Sequence, residues 1–343
     1  MARRILFERR SIATSATLAL ISVLLLPAGE GFSRHPASPP AGPADDAKKE
    51  NPQKQARLAR GRYLEEGPAA CFACHSDVDW KAPWTPVLAG RKGGGAKFPE
   101  EDIPFPLYSP NISPDPVTGA GNWTDEQLAR AIREGIGHDG RRLFPVMPYM
   151  NYRVMSDEDL ASIIVYLRSL PPVRNALPTT ELPEPVKASL PPPRPVSAPV
   201  PPVDSSNPIK RGAYLVALAN CVECHTPVDV QGRPLPGLDF AGGRILKGPW
   251  GEVASANITP DPSGISYYDQ KLFLQVLRTG HVRTRKLNPI MLSGYHRNMT
   301  DEDINAIYAY LSTLPPVSHR VDNTESPTLC KRCGSKHGYG ERN

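Results

Sequence analysis

The chain has 343 residues, of which 40% are apolar, 22% charged, 7% aromatic and 40 in number are proline, with a formal charge of +5. That length allows about two domains of roughly 150 residues, each with its own core, and the proline content predicts long linkers. The basic residues are spread along the chain rather than run together, which excludes a nucleic-acid-binding patch.

At the N-terminus, Arg3, Arg4, Arg9 and Arg10 precede an apolar run from Ile12 to Pro27. Residues 1–30 therefore read as a signal peptide or a retained N-terminal anchor, and the chain as exported to the periplasm. The run is a little short for a span of about 20 residues, and nothing else is apolar enough to cross a bilayer. Membrane association would rest on this segment. Residues 31–52, rich in Pro, Ala and Ser, read as a flexible tether.

The remainder repeats itself. Gly61-Arg62-Tyr63-Leu64 answers Gly212-Ala213-Tyr214-Leu215, and Cys71-Phe72-Ala73-Cys74-His75 answers Cys221-Val222-Glu223-Cys224-His225. Asn111-Ile112-Ser113-Pro114-Asp115-Pro116 answers Asn257-Ile258-Thr259-Pro260-Asp261-Pro262, and Met155-Ser156-Asp157-Glu158-Asp159-Leu160 answers Met299-Thr300-Asp301-Glu302-Asp303-Ile304. The order is the same in both halves, as duplication of a whole domain produces. This places domain 1 at residues 53–176 and domain 2 at 207–320. A proline-rich linker at 177–206, containing Pro191-Pro192-Pro193 and Pro201-Pro202, should form an extended spacer that separates them.

Each half reads as helical. Its first helix carries Gly-x-Tyr and ends near the cysteine motif, where Gly67-Pro68 interrupts the first copy. A middle helix begins at Thr124, with Gln127 completing a capping box and Trp123 placed to staple onto Leu128. Its counterpart begins at Asp269, with Tyr268 facing Phe273, and Gly135 and Gly280 stop the two helices. The last helix starts at Ser156 or Thr300 and cannot pass Pro171-Pro172 or Pro315-Pro316. No run alternates well enough for a sheet, so the expected class is all-α, two tandem helical domains joined by the proline-rich linker.

Cys-x-x-Cys-His is the attachment signal of c-type haem. One helical turn presents both thiols to the two vinyl groups, and the next residue sets its imidazole under the iron. The sequence thus predicts two covalently bound haem c groups, on Cys71 and Cys74 with His75 as axial ligand, and on Cys221 and Cys224 with His225. A shared zinc knuckle is disfavoured because the two pairs lie in separate repeats and each is followed by His.

For the distal ligand, Met155 and Met299 precede Ser or Thr N-caps and face Leu160 and Ile304, the arrangement of a hydrophobic staple. Met147 and Met291 instead lie in Pro-x-Met segments, where a proline-braced loop can hold a thioether across the haem. Met150 has no counterpart, since Gly294 takes its place. Met147 and Met291 are the candidate iron ligands, with His138 and His281 as the bis-histidine alternative. Two filled axial positions leave the iron no open site, which suits a carrier of electrons rather than a catalyst.

Both repeats resemble the class I cytochrome c domains of the haem subunits of bacterial membrane-bound alcohol, gluconate and aldehyde dehydrogenases, and of related di-haem cytochromes. The resemblance is carried by the cysteine motifs, the Asn-Ile-Ser/Thr-Pro-Asp-Pro segments, Trp123-Thr124-Asp125-Glu126-Gln127, Phe144-Pro145-Val146-Met147-Pro148-Tyr149, and the closing helices with Tyr166-Leu167 and Tyr310-Leu311. It implies that the first and last helices cross at Gly61 or Gly212 against Tyr166 or Tyr310, and it supports Met147 as the axial thioether. The second copy departs from it, with Met291-Leu292-Ser293 in place of Met-Pro-Tyr. The dehydrogenase subunits usually carry three such domains, where this chain has two.

The expected role is single-electron transfer from a periplasmic or membrane dehydrogenase, or another quinol-linked donor, to a terminal oxidase or carrier. The alternatives are a subunit fixed in a membrane-bound dehydrogenase complex, and a haem enzyme of the peroxidase or thiosulfate-oxidising kind. The tail, residues 321–343, adds Cys330-Lys331-Arg332-Cys333, followed by Gly334 and not His. Without an imidazole in place this is no third haem site. It reads as a local disulfide, with a thiol or metal role as the alternative, and His337 alone does not alter that.

Overall fold

A computed structural model describes residues 51–101, 103 and 105–340. The signal or anchor segment and nearly all of the tether lie outside the described residues. The described residues form one compact unit.

Repeat one contributes α1 (Pro52–Glu66), α2 (Cys71–Cys74), α3 (Asp125–Glu134), α4 (Tyr149–Tyr152) and α5 (Asp157–Ser169). A short helix, α6 (Glu184–Ser189), lies in the connecting segment. Repeat two contributes α7 (Pro208–Leu218), α8 (Cys221–His225), α9 (Gln270–Thr279), α10 (Ser293–His296) and α11 (Asp301–Leu311).

The helix boundaries follow local chemistry. Thr124 accepts from the Gln127 amide while the Gln127 side chain reaches back to Thr124, closing the capping box of α3. Asp269 accepts from the Leu272 amide at the start of α9. Gly135 and Gly280 end these helices at φ of 69° and 65°, where a Cβ would be strained. Ser156 and Thr300 cap α5 and α11 through the amides of Asp159 and Asp303. Met155 and Met299 are 0% and 2% exposed, as staples packed under those caps should be.

In each repeat the first helix crosses the last. A Cβ on Gly61 would stand 2.0 Å from the Ser162 carbonyl oxygen, and one on Gly212 would stand 2.0 Å from that of Ala306, with Tyr166 and Tyr310 alongside. Only glycine allows backbones this close. The resulting cores gather Leu64, Phe72, Leu160, Ile163 and Leu167 in repeat one, and Leu215, Phe273, Ile304, Ile307 and Leu311 in repeat two.

Strands form where the sequence suggested none. Among the described residues there are four antiparallel ribbons: β1 (Ala96–Lys97) with β2 (Tyr108–Ser109), β3 (Ile245–Gly248) with β4 (Gly251–Ala254), β5 (His281–Val282) with β6 (Arg285–Lys286), and β7 (Thr328–Leu329) with β8 (Lys336–His337). At two to four residues each they are too short for alternation to mark. Among the described residues most of the regular structure is helix, with these ribbons as loop braces.

The connecting segment does not hold the halves apart. It runs along repeat one, where the Val196 amide donates to Glu134 at 2.9 Å and Val200 exchanges bonds with Asp157 at 3.0 and 3.1 Å. The two repeats then pack directly. Tyr63 of repeat one donates to Asp303 of repeat two and accepts from the Thr300 amide at 3.2 Å. Tyr214 of repeat two donates to Asp159 of repeat one at 2.6 Å and accepts from the Ser156 amide at 3.2 Å. Each tyrosine therefore completes the start of the other repeat's last helix. Arg60 and Arg211 supply the matching charge to Asp159 and Asp303.

Candidate haem sites

Both cysteine motifs sit on single helical turns entered through a left-handed residue, Ala70 at φ 45° and Asn220 at φ 51°. The sharp entry starts the turn just where the first thiol must project. His75 and His225 are 9% and 7% exposed. The His75 Nδ1 lies 2.9 Å from the Pro110 carbonyl and the His225 Nδ1 lies 2.7 Å from the Ala256 carbonyl. A carbonyl can only accept, so each Nδ1 carries the proton and each Nε2 keeps its lone pair for a metal. Burial holds both imidazoles below the usual histidine range, in the neutral, ligating form.

These carbonyls belong to the segments just before the Asn-Ile-Ser/Thr motifs. Asn111 turns back on Ser113 and reaches the Val173 carbonyl at 2.7 Å, and Asn257 does the same with Thr259 and the Val317 carbonyl at 2.8 Å. The repeated motif thereby ties the loop that holds the proximal histidine to the irregular segment leaving the last helix. Two thiols and one imidazole of fixed tautomer on each repeat form a donor set that fits haem c.

Met147 packs partly buried against the first core, and Met291, at the end of the short 3-10 turn Pro289–Met291, packs partly buried against the second. Met150 is 50% exposed and points away from this role. His138 is exposed and stacks on Trp123 with ring centres 4.2 Å apart, and His281, in β5, holds its Nδ1 2.7 Å from the Thr279 carbonyl.

Three buried groups near the motifs were not singled out from sequence. His296 on α10 is 8% exposed, its Nε2 has no hydrogen-bond partner, and it lies near His225. The Tyr295 hydroxyl is likewise buried and unpartnered, with Cys71 and Cys74 nearby. Glu65 is fully buried with both oxygens unpartnered. Burial pushes its carboxyl well above the usual range, against the pull of Lys92. His296 stands four residues before Thr300 as Tyr152 stands before Ser156, so the repeat alignment was the signal that marked it as a substitution.

The two motifs are also neighbours. Asn220, the residue before Cys221, accepts from the Asn151 side chain on α4, and Leu218 and Tyr295 of repeat two belong to the core of repeat one. Cys74 is pushed up to about 11 by burial and by the adjacent Cys224.

This fold and donor set are those of a c-type cytochrome, and the chain belongs to the cytochrome c family, which it matches over residues 58–171 and 209–315. It carries two covalent haem c groups. It is 37% identical over 317 residues to the fructose dehydrogenase cytochrome subunit of Gluconobacter japonicus, an overlap covering 88% of this chain and 59% of that one. It is 30% identical over 277 residues to the gluconate 2-dehydrogenase cytochrome c subunit of Pantoea cypripedii, covering 76% and 60%. It is also 30% identical over 261 residues to a diheme cytochrome c-type of Cereibacter sphaeroides, covering 72% and 82%. The chain thus spans about three fifths of the two dehydrogenase subunits. No helix among the described residues is long and apolar enough to cross a membrane.

Proposed function

We propose that this chain is an exported, periplasmic di-haem cytochrome that takes single electrons from a dehydrogenase or another quinol-linked donor and passes them to a respiratory acceptor. An N-terminal segment left uncleaved would anchor it to the inner membrane. Its two all-α units, residues 53–176 and 207–320, each hold one haem. Cys71 and Cys74 bind the first through thioethers and Cys221 and Cys224 the second, with His75 and Met147, and His225 and Met291, as the axial pairs.

The observation that carries this reading is that both buried histidines have Nδ1 fixed on a backbone carbonyl and Nε2 left for iron. Bound haem supplies reversible one-electron chemistry at iron, and a thioether opposite imidazole favours the ferrous form. The chain's own groups fix ring orientation through Pro110 and Ala256, exclude water by burial, and keep both cysteine motifs side by side.

The test is a redox-titrated absorption and magnetic circular dichroism spectrum of the purified protein, with haem counted per chain. Two haems with methionine-to-iron charge-transfer bands are expected, and a high-spin component would shift the reading to catalysis. Met147→Ala and Met291→Ala should each remove one band and lower one potential. If Met291→Ala leaves the second haem unchanged, Met291 is not its ligand, and His296→Ala then tests the buried imidazole beside it.

The similarity to the dehydrogenase cytochrome subunits also supports a place inside a larger complex. Co-purification with a dehydrogenase at fixed stoichiometry would favour the fixed subunit over the free carrier.

A further inference from the structure

The third cysteine pair belongs to neither haem motif. No disulfide joins Cys330 to Cys333. The β7–β8 hairpin turns each thiol toward a histidine instead. Cys330 Sγ lies 3.4 Å from His319 Nε2, and Cys333 Sγ lies 3.3 Å from His337 Nε2. One ligand atom from each of the four residues lies within 4.8 Å of every other. All four side chains are buried, at 0% exposure for His319 and Cys330, 8% for Cys333 and 2% for His337.

The rings are held for ligation. His319 Nδ1 is 3.0 Å from the Ala241 carbonyl and His337 Nδ1 is 3.1 Å from the Gly338 carbonyl, so both Nδ1 atoms donate and both Nε2 lone pairs face the thiols. Bonds of about 2.3 Å to sulfur and about 2.0 Å to nitrogen give a tetrahedron with sulfur–nitrogen edges of roughly 3.5 Å. The observed pairs fit it. We propose that His319, Cys330, Cys333 and His337 bind one zinc ion in a closed, four-coordinate structural site. Two soft thiolates and two imidazoles with tetrahedral spacing select zinc over harder, oxygen-seeking cations.

The site clamps the tail to the loop around the second haem. His319 donates its amide to Ser263 at 2.9 Å and accepts from Asn257 at 3.2 Å. Asn323 exchanges two bonds of 2.9 Å with Ala254. Gly242, next to the carbonyl that orients His319, donates to the His225 carbonyl at 2.7 Å. The zinc therefore braces both sides of the segment that orients His225. The first repeat has no such brace among its described residues.

The full-length holoprotein, purified without chelators, should contain one zinc for every two haem irons by elemental mass spectrometry. Its zinc K-edge absorption should show two sulfur neighbours at about 2.3 Å and two nitrogens at about 2.0 Å. Cys333→Ser and the double variant His319→Ala/His337→Ala should lose the zinc and keep both haems, with amide exchange rising in residues 241–257 and not in repeat one. The wild-type metal count decides the matter even where a variant fails to fold. A zinc-free wild-type protein, with or without a Cys330–Cys333 disulfide, overturns the proposal, and so does zinc that survives in the double variant.

Discussion

Gly61 and Gly212 are the tightest points of the two repeats. Adding one methyl group at either would drive it into the backbone carbonyl of Ser162 or Ala306, which no rotamer change relieves. Gly61→Ala and Gly212→Ala should each destabilise the protein by roughly 1–3 kcal/mol or more, read as a lower denaturation midpoint with both haems still attached. Glu65 makes the opposite case. Its counterpart is Val216, and an unpartnered carboxyl buried in the same place stays protonated in the folded chain while ionising freely in the unfolded one. The unfolded state then binds fewer protons once pH exceeds about 4.3, so stability falls as pH rises from there toward the raised folded value. Glu65→Gln should flatten that decline, measured as denaturation midpoint against pH, and an unchanged slope would show that Glu65 is not its source. At this scale the sequence was most informative about covalent and capping chemistry. The cysteine motifs, Thr124, Ser156, Met155 and Met299 were all marked by their neighbours in the chain, because their partners lie within about five residues.

At the scale of elements, local signals placed the principal helices and long-range ones were invisible. Trp84 shows why. It sits at φ 68° with its carbonyl against Gly294 of α10, where a Cβ would come within 2.1 Å, and the Arg297 guanidinium lies 3.9 Å over its ring. The glycine that ruled out Met150 as a repeated ligand is thus a contact residue for the other half. The metal-like tail was half legible in the same way: Cys330, Cys333 and His337 are close in sequence, but His319 arrives from before the tail, and without it the pair read as a disulfide. The reciprocal tyrosines give the element-scale prediction. Tyr63 is held up to about 12 by burial and by its bond to Asp303, and Tyr214 is raised by burial and by Asp159. Tyr63→Phe and Tyr214→Phe each remove a hydrogen bond to a buried carboxylate and should cost about 1–3 kcal/mol. Amide exchange should quicken first at the start of α11 in the former and of α5 in the latter. Loss confined to the mutated repeat would contradict the exchange of caps.

For the molecule as a whole, contacts between the halves matter more than the chain that connects them. Trp80 and Trp250 meet with ring centres 4.5 Å apart, and Asn298 reaches the Glu66 carbonyl at 2.7 Å, which adds to the tyrosine pairs. A protease site built at the exposed Pro192-Pro193-Arg194 stretch and cut should leave the two haem-bearing halves eluting together, and their separation would mean that the linker alone holds them. With both cysteine motifs at this junction, electron exchange between the haems should be intramolecular, with a rate independent of protein concentration. The tyrosine contacts have one more consequence. Residue i of one half touches residue j of the other, and the equivalent of j touches the equivalent of i, which is the signature of an isologous dimer. An unfused ancestor could have closed the same interface between two identical subunits. Joining them in one chain then freed the halves to diverge, giving one copy a buried acid and the other a clamped tail.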